Sequence, residues 1–340
     1  MLYKIFLLPA RIAVHFYCRK IIINKKVMLR EQGPLLIAAN HPNSFLDAII
    51  LDSIFKMPIC SLARGDAFAG KIVSKILASL NMLPVYRVSE GVENLEHNYT
   101  TFDACEKLFQ QNKIVLIFSE GKCLNEWHLR PLKKGTARLA FNAWENNIPL
   151  KVLPIGINYS SFRFYGKNVV LNFGNLIYQK DIQGDLTLGN TIKEFNEKLN
   201  TQLKDLVFEI DKNDNQKLKK HFYVKQSLLK RIVLLIPAII GFIINAPLYF
   251  TIHQTIKNRA NDHYDSIMVG LLFFLYPLYT LVITLVIFFI TKNGYSFLLL
   301  GLLPFTVWSY LQVKRQIRPH PNPCPTSSIR QASPSEKDTL

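Results

Sequence analysis

The sequence predicts an α/β fold, a mostly parallel sheet flanked by helices and followed by C-terminal transmembrane helices. Three observations predict it. Between residues 31 and 212, short β-rich runs alternate with helical ones, the pattern of strand–helix units. Two of those runs, IVLIF (Ile114 to Phe118) and VLPIGI (Val152 to Ile157), are apolar almost without interruption, as strands covered on both faces are. The 24 residues from Ile267 to Ile290 carry no charged side chain. At about 1.5 Å per residue they span about 36 Å, more than a hydrocarbon core of about 30 Å.

The elements follow in chain order. Residues 1–30 hold seven Lys/Arg (Lys4, Arg11, Arg19, Lys20, Lys25, Lys26, Arg30) and no acid, interleaved with Leu, Ile, Phe and Tyr. This suits a basic segment lying in a membrane interface; the alternative is a core helix with a solvated charged face. A cleaved signal peptide is not expected, because Arg11 and Arg19 break the apolar stretches and no small-residue cleavage site follows. In the α/β domain, residues 31–212, strands are expected at Leu35 to Ala39, Met57 to Leu62, Ile114 to Phe118, Lys151 to Ile157 and Asn168 to Phe173. Helices are expected at Phe45 to Phe55, Gly70 to Leu80, Val92 to Gln111, Gly135 to Asn146 and Asn190 to Phe208.

Residues 213–231 form a basic linker carrying Lys217, Lys219, Lys220, Lys225, Lys230 and Arg231. By the positive-inside bias this edge, and the α/β domain before it, face the cytoplasm. Residues 232–312 are expected to form a transmembrane region of two or three helices. Besides the run above, Ile232 to Ile252 and Tyr295 to Leu311 are apolar, though Pro237, Asn245, Pro247 and Pro304 interrupt them. Lys314, Arg315 and Arg318 beyond the last run also favour the inside, which fits an even number of crossings. The tail, residues 313–340, is rich in Pro and Ser and is expected to be disordered.

At 49% hydrophobic residues and a mean hydropathy of +0.13, an ordinary soluble protein is excluded. The net charge of +17 fits anionic lipid, acidic substrates or nucleic acid. Its placement favours membrane lipids as partners, since the basic runs flank the apolar ones and no nucleic-acid-binding module is recognised. Five cysteines, Cys18, Cys60, Cys105, Cys123 and Cys324, show no metal-ligand spacing, and an odd number gives no complete disulfide framework. They read as reduced thiols.

The most informative stretch is NHPNSFLD, Asn40 to Asp47, directly after an apolar strand. A neutral histidine oriented by a carboxylate can take the proton of an attacking hydroxyl. His41 and Asp47 stand six residues apart, which on one ideal helix separates them by about 120 degrees. They meet only if His41 sits in a turn bent at Pro42 and Asp47 on the helix that follows. The plainer reading is a helix-capping turn with Asn43 or Ser44 as cap. Further on, LPVYR ends in Arg87, whose fork can hold a phosphate by two hydrogen bonds. FSEG places Glu120 and Gly121 just past a strand end, where open α/β sheets bind ligands. Lys122, Arg130, Lys133 and Lys134 then lead into a helix and form a candidate anion-binding cluster. Each motif alone fits a solvated surface; their fixed order along the chain argues for a site.

Two other groups were set aside on the same logic. Cys123 beside His128 lacks a helix N-terminus or second carboxylate arranged to activate it as a nucleophile. His263 and Asp265, between two apolar runs, echo a second histidine–aspartate pair but are read as a polar loop at the membrane surface.

Over Pro34 to Gly174 the chain resembles the glycerophospholipid acyltransferase family, which includes glycerol-3-phosphate and 1-acylglycerol-3-phosphate acyltransferases. The family's first block, His, four residues, Asp, resembles His41 and Asp47 with one residue more between them. The second, Gly-x-x-Phe-x-x-Arg, is matched at Arg87, with Asn81 and Pro84 in place of Gly and Phe. The third, Phe-Pro-Glu-Gly, is matched at Phe118, Glu120 and Gly121, with Ser119 for Pro. The fourth resembles Val152, Leu153 and Pro154. The resemblance implies that His41 is the general base, that Asp47 orients it, and that Arg87, Glu120 and Gly121 shape the site for a phosphorylated glycerol acceptor. It implies no metal and no bound cofactor, the acyl-CoA or acyl carrier protein thioester being a substrate. Two alternatives stand beside it: an acyltransferase for an amino-acid lipid or other lyso-lipid, and a catalytically inactive lipid-binding membrane protein.

Overall fold

A computed structural model describes residues 2–86, 97–182, 188–258 and 262–317. Its centre is a seven-stranded sheet: β1 Cys18–Ile23, β2 Leu35–Ala39, β3 Ile59–Arg64, β4 Met82–Val85, β5 Ile114–Phe118, β6 Lys151–Tyr159 and β7 Lys167–Phe173. The strands lie in the order β1-β7-β6-β2-β5-β3-β4. Every neighbouring pair is parallel except β6 and β7, which run antiparallel. The mostly parallel sheet expected from the sequence is therefore present.

The central strands are apolar throughout because both faces are covered. Leu35, Ile37 and Ala39 of β2 point into one core and Leu36 and Ala38 into the other, the period of two that a pleated strand imposes. The second core is closed by three helices, α4 His97–Gln110, α5 Gly135–Glu145 and α6 Leu188–Leu206. The first is closed by α1 Leu2–Tyr17, through Val14 and Tyr17, and by α2 Phe45–Ile54. A short helix α3, Lys71–Ser79, precedes β4, and α7 Asn215–Phe222 and α8 Leu228–Val233 lead out of the domain.

Two strands lie outside the expected set. The residues of β1, CRKIII, fall within the basic segment 1–30 that the sequence assigns to a membrane interface, ahead of a domain expected from residue 31. They instead pair parallel with β7, from Cys18↔Lys167 to Ile23↔Leu171. Of its two charged side chains Lys20 reaches solvent, whereas Arg19 is buried. β4 is only four residues long, too short to give a periodic signal.

Among the described residues, three helical stretches are long and apolar enough to cross a membrane: α9 Leu235–Ile256, α10 Tyr264–Thr291, and Gly294–Val313, which contains α11 Leu299–Val313. Their outward faces, with Ile239, Ile243, Phe274, Val282 and Phe289, are exposed, as lipid-facing side chains are. α9 and α11 approach closely at Gly241, where an added Cβ would fall 2.4 Å from the Thr306 carbonyl oxygen. A small residue at that crossing is what allows the backbones to meet.

The helices are also joined to the sheet. Ile252 and Ile256 of α9 and Tyr264, Met268 and Val269 of α10 belong to the first core. Asp265, in the first turn of α10, has no exposed surface and pairs with the equally buried Lys167 of β7. This corrects the surface-loop reading of His263 and Asp265: His263 is exposed, but Asp265 is interior. Burial lowers the affinity of Lys167 for its proton, and contact with the carboxylate opposes that shift. Removing one partner of a buried pair leaves an uncompensated charge, at a cost of about 3–5 kcal/mol, whereas removing both does not. The losses in thermal unfolding midpoint of Lys167→Met and Asp265→Leu in the detergent-purified protein should therefore together exceed the loss in the double variant. A double variant as unstable as the two single losses summed would contradict the pairing.

Candidate active site

The site forms where β2, β5 and β6 end. After Ala39, Asn40 is locked to β6 by two bonds: its Nδ2 donates to the Ile157 carbonyl at 3.0 Å and its Oδ1 accepts from the Ile157 N–H at 2.7 Å. This fixes the start of the turn that carries His41. The turn then passes Ser44 at φ 54 and ψ −140, a region in which a non-glycine residue costs about 1–3 kcal/mol. Neighbours hold it there. The Ser44 N–H donates to Cys123 Sγ at 2.9 Å, and the Asp47 N–H donates to the Ser44 carbonyl at 3.1 Å. Ser44 precedes α2 but makes no side-chain capping bond.

The turn brings Asp47 back to His41. His41 Nδ1 lies 2.9 Å from Asp47 Oδ2, with the imidazole 15% exposed and the carboxylate 0%. Facing a carboxylate, Nδ1 is the protonated ring nitrogen. Asp47 Oδ2 also accepts the Asn43 N–H at 2.8 Å, and Oδ1 accepts the Tyr159 hydroxyl at 2.7 Å. The ring is stacked on Phe118, centroids 3.8 Å apart and planes 11° apart. Nε2 has no hydrogen-bond partner among the described residues.

Glu120 ties the loop after β5 to this turn. Its Oε2 accepts the His41 N–H at 3.1 Å and its Oε1 accepts the Arg130 N–H at 3.0 Å. Both oxygens are thus directed at backbone within the protein. Gly121 follows at φ +66, and an added Cβ would come 3.0 Å from Lys133 Cγ. The left-handed conformation favours glycine at this position. Of the basic cluster, Lys122, Lys133 and Lys134 are exposed, while the Arg130 guanidinium is paired with Glu126 at 2.9 Å. Lys134 borders a cleft of about 500 Å³ against α6 that His41 does not line. Arg87 lies outside the described residues. Burial, together with the Asp47 carboxylate, pushes the Cys123 thiol up, and His128 is paired with Glu209 at 2.6 Å, so the two do not form a nucleophile–base pair.

Several residues of the site carried no sequence signal of their own. Asn40 and Asn43 lie inside the motif that flags His41, but their roles depend on partners from β6 and α10. Tyr159 ends the expected strand at Ile157 two residues late, and a tyrosine at that sheet edge could have been recognised as a donor. Asn43 Nδ2 donates to Asp265 Oδ2 at 2.7 Å, and the Tyr17 hydroxyl donates to Asp265 Oδ1 at 2.5 Å. The Leu46 N–H donates to Ser266 Oγ at 3.1 Å. The available signal was an acid at the mouth of an apolar helix, a position where ionisable residues are functional more often than not.

A carboxylate-backed imidazole at the carboxyl edge of a largely parallel sheet can accept and return a proton at a bound substrate. The family model described as "Acyltransferase" matches residues 20–158. Among solved structures, the 1-acyl-sn-glycerophosphate (LPA) acyltransferase PlsC from Thermotoga maritima is similar at 13% identity and a TM-score of 0.43, covering 60% of this chain and 80% of that one. No curated protein matches the chain.

Glu120 adds a pH dependence. Burial is the main cause that pushes its carboxyl up from 4.5 to about 7, against the two N–H donors, which lower it. The folded protein then holds this proton more tightly than the unfolded chain does, so stability falls as pH rises from about 4.5 through about 7. The effect is at most roughly 3 kcal/mol at 1.36 kcal/mol per unit. Glu120→Gln stays neutral and should lack this slope. Between pH 5 and pH 8 its thermal midpoint should move upward relative to that of the wild type; a constant gap would show that Glu120 is ionised throughout.

Proposed function

We propose that this chain is a membrane-bound acyltransferase that moves a fatty acyl group from acyl-CoA or an acyl carrier protein thioester to the hydroxyl of glycerol 3-phosphate or 1-acylglycerol 3-phosphate. The observation that carries this reading is the His41–Asp47 pair at 2.9 Å, with Nε2 unengaged among the described residues, in the stretch that the acyltransferase family model matches. His41 Nε2 takes the proton of the acceptor hydroxyl as its oxygen attacks the thioester carbonyl. Asp47 stabilises the imidazolium that forms and Tyr159 holds the carboxylate in place. The C–S bond then breaks, and the imidazolium returns the proton to the departing thiolate. One ester forms, one thioester is lost, and the histidine ends as it began.

Arg87 is assigned to the acceptor phosphate on its match to the family's second block. Glu120 and Gly121 shape the loop over the turn, and Lys122, Lys133 and Lys134 supply positive charge to the approach of an anionic substrate. The three apolar helices hold the domain at the bilayer. The basic run before α9, from Lys217 to Arg231, supports a cytoplasmic position for the site.

The test is to incubate membranes containing the protein with labelled acyl-CoA and a panel of acceptors, and to identify the lipid formed. Glycerol 3-phosphate or its monoacyl product should be acylated, and His41→Ala should lower turnover about a hundredfold or more, the scale of a lost general base. Acylation of an amino-acid lipid or another lyso-lipid alone would move the acceptor to the alternative class. Near-normal turnover in His41→Ala would remove the base assignment, and no transfer to any acceptor would favour a lipid-binding protein.

A further inference from the structure

At the edge of the sheet, β1 is separated from β2 by β7 and β6. There a cleft of about 360 Å³ opens between β1, the connection from α7 to α8, and α11. Arg19, Lys20, Lys225, Lys230, Trp308 and Gln312 line it, and no carboxylate is among the lining residues. Arg19 is only 8% exposed. Its Nη2 donates to the Lys314 carbonyl at 2.6 Å, but Nε and Nη1 are buried with no partner among the described residues. A buried guanidinium in a globular protein is ordinarily paired; this one shares its cleft with Lys20, Lys225 and Lys230. Burial, reinforced by nearby Arg231, lowers Arg19 to about 10, the signature of a cation that lacks a counter-charge.

The surroundings say which anion fits. The cleft stands at the start of α9 and the end of α11, two helices apolar enough to cross a membrane. That is headgroup depth. Lys230 Nζ lies 5.1 Å from the Trp308 ring centroid and 3.1 Å from Gln312 Oε1, and tryptophan concentrates at this level of a bilayer. On α8, Leu228, Leu229 and Ile232 are strongly exposed beside the basic groups, as acyl chains below a headgroup require. We infer that this cleft binds the phosphate of an anionic phospholipid, with the exposed Lys225 and Lys230 ammonium groups on the phosphate oxygens and the buried Arg19 charge beneath them. The inference rests on the membrane placement of α9 and α11 and not on the acyl-transfer reading.

The test uses the full chain in neutral detergent, titrated with short-chain phosphatidylglycerol, with phosphatidylcholine, and with inorganic phosphate, bound lipid being read by native mass spectrometry. Phosphatidylglycerol is a phosphodiester outside the proposed acceptor class, so the result does not depend on turnover, and His41→Ala should bind it as the wild type does. The expected result is at least tenfold tighter binding of phosphatidylglycerol than of phosphatidylcholine, lost in Arg19→Gln. Because Arg19 is buried, the exposed pair Lys225→Gln/Lys230→Gln provides a second variant, which should lose most of the preference while keeping the wild-type melting temperature. Equal retention of the two lipids by the wild type, or an unchanged preference in the lysine variant, would overturn the proposal. Displacement of the lipid by inorganic phosphate at equal concentration would show a free-anion site and overturn the lipid assignment.

Discussion

A carboxylate with no access to water must be satisfied wholly by the protein, and Asp47 is satisfied by donors from three separate places. His41 comes from the end of β2, the Asn43 N–H from the turn, and Tyr159 from the end of β6. Charge-assisted bonds of this kind are short and strong, and each orphaned partner would cost about 1–3 kcal/mol. The arrangement therefore holds only if β2 and β6 are in register. Asn40 enforces that register through its two bonds to Ile157. The geometry of the imidazole is in this sense a property of the sheet.

A second buried carboxylate, Asp265, stands one residue away from the first in the network. Asn43 touches both, giving its N–H to Asp47 and its side-chain amide to Asp265. Asp265 belongs to a helix apolar enough to span the bilayer, and Lys167, its ion partner, begins β7. The turn bearing His41 thus rests on the first turn of that helix. The position of the His41 turn is therefore tied to that of α10 through Asn43 and Asp265.

Much of this was legible in the sequence, and the misses have physical reasons. Continuous apolar runs announced β2, β5 and β6, and the motif Asn40 to Asp47 announced the turn, because a six-residue spacing forces the pair off a common helix. β1 was hidden by the charges of Arg19 and Lys20, of which only Lys20 reaches solvent. Asp265 was visible as an acid at the mouth of an apolar helix, but its pairing with Lys167 was not: two opposite charges ninety-eight positions apart meet only through the packing of α10 on the sheet. Glu120 was recognised as a site residue, but its engagement with the His41 and Arg130 N–H groups depends on how the loop folds back.

The central claim is that Asp47 fixes His41 in the tautomer with Nδ1 protonated and Nε2 free to act on substrate. Nitrogen-15 NMR of histidine-labelled protein in lipid, with His41 assigned by comparison with a His41→Gln protein, measures that tautomer directly. The account predicts a neutral imidazole whose Nδ1 carries the proton and whose Nε2 has the shift of a bare ring nitrogen. A proton on Nε2 in the neutral ring, with Nδ1 bare beside the carboxylate, would contradict it.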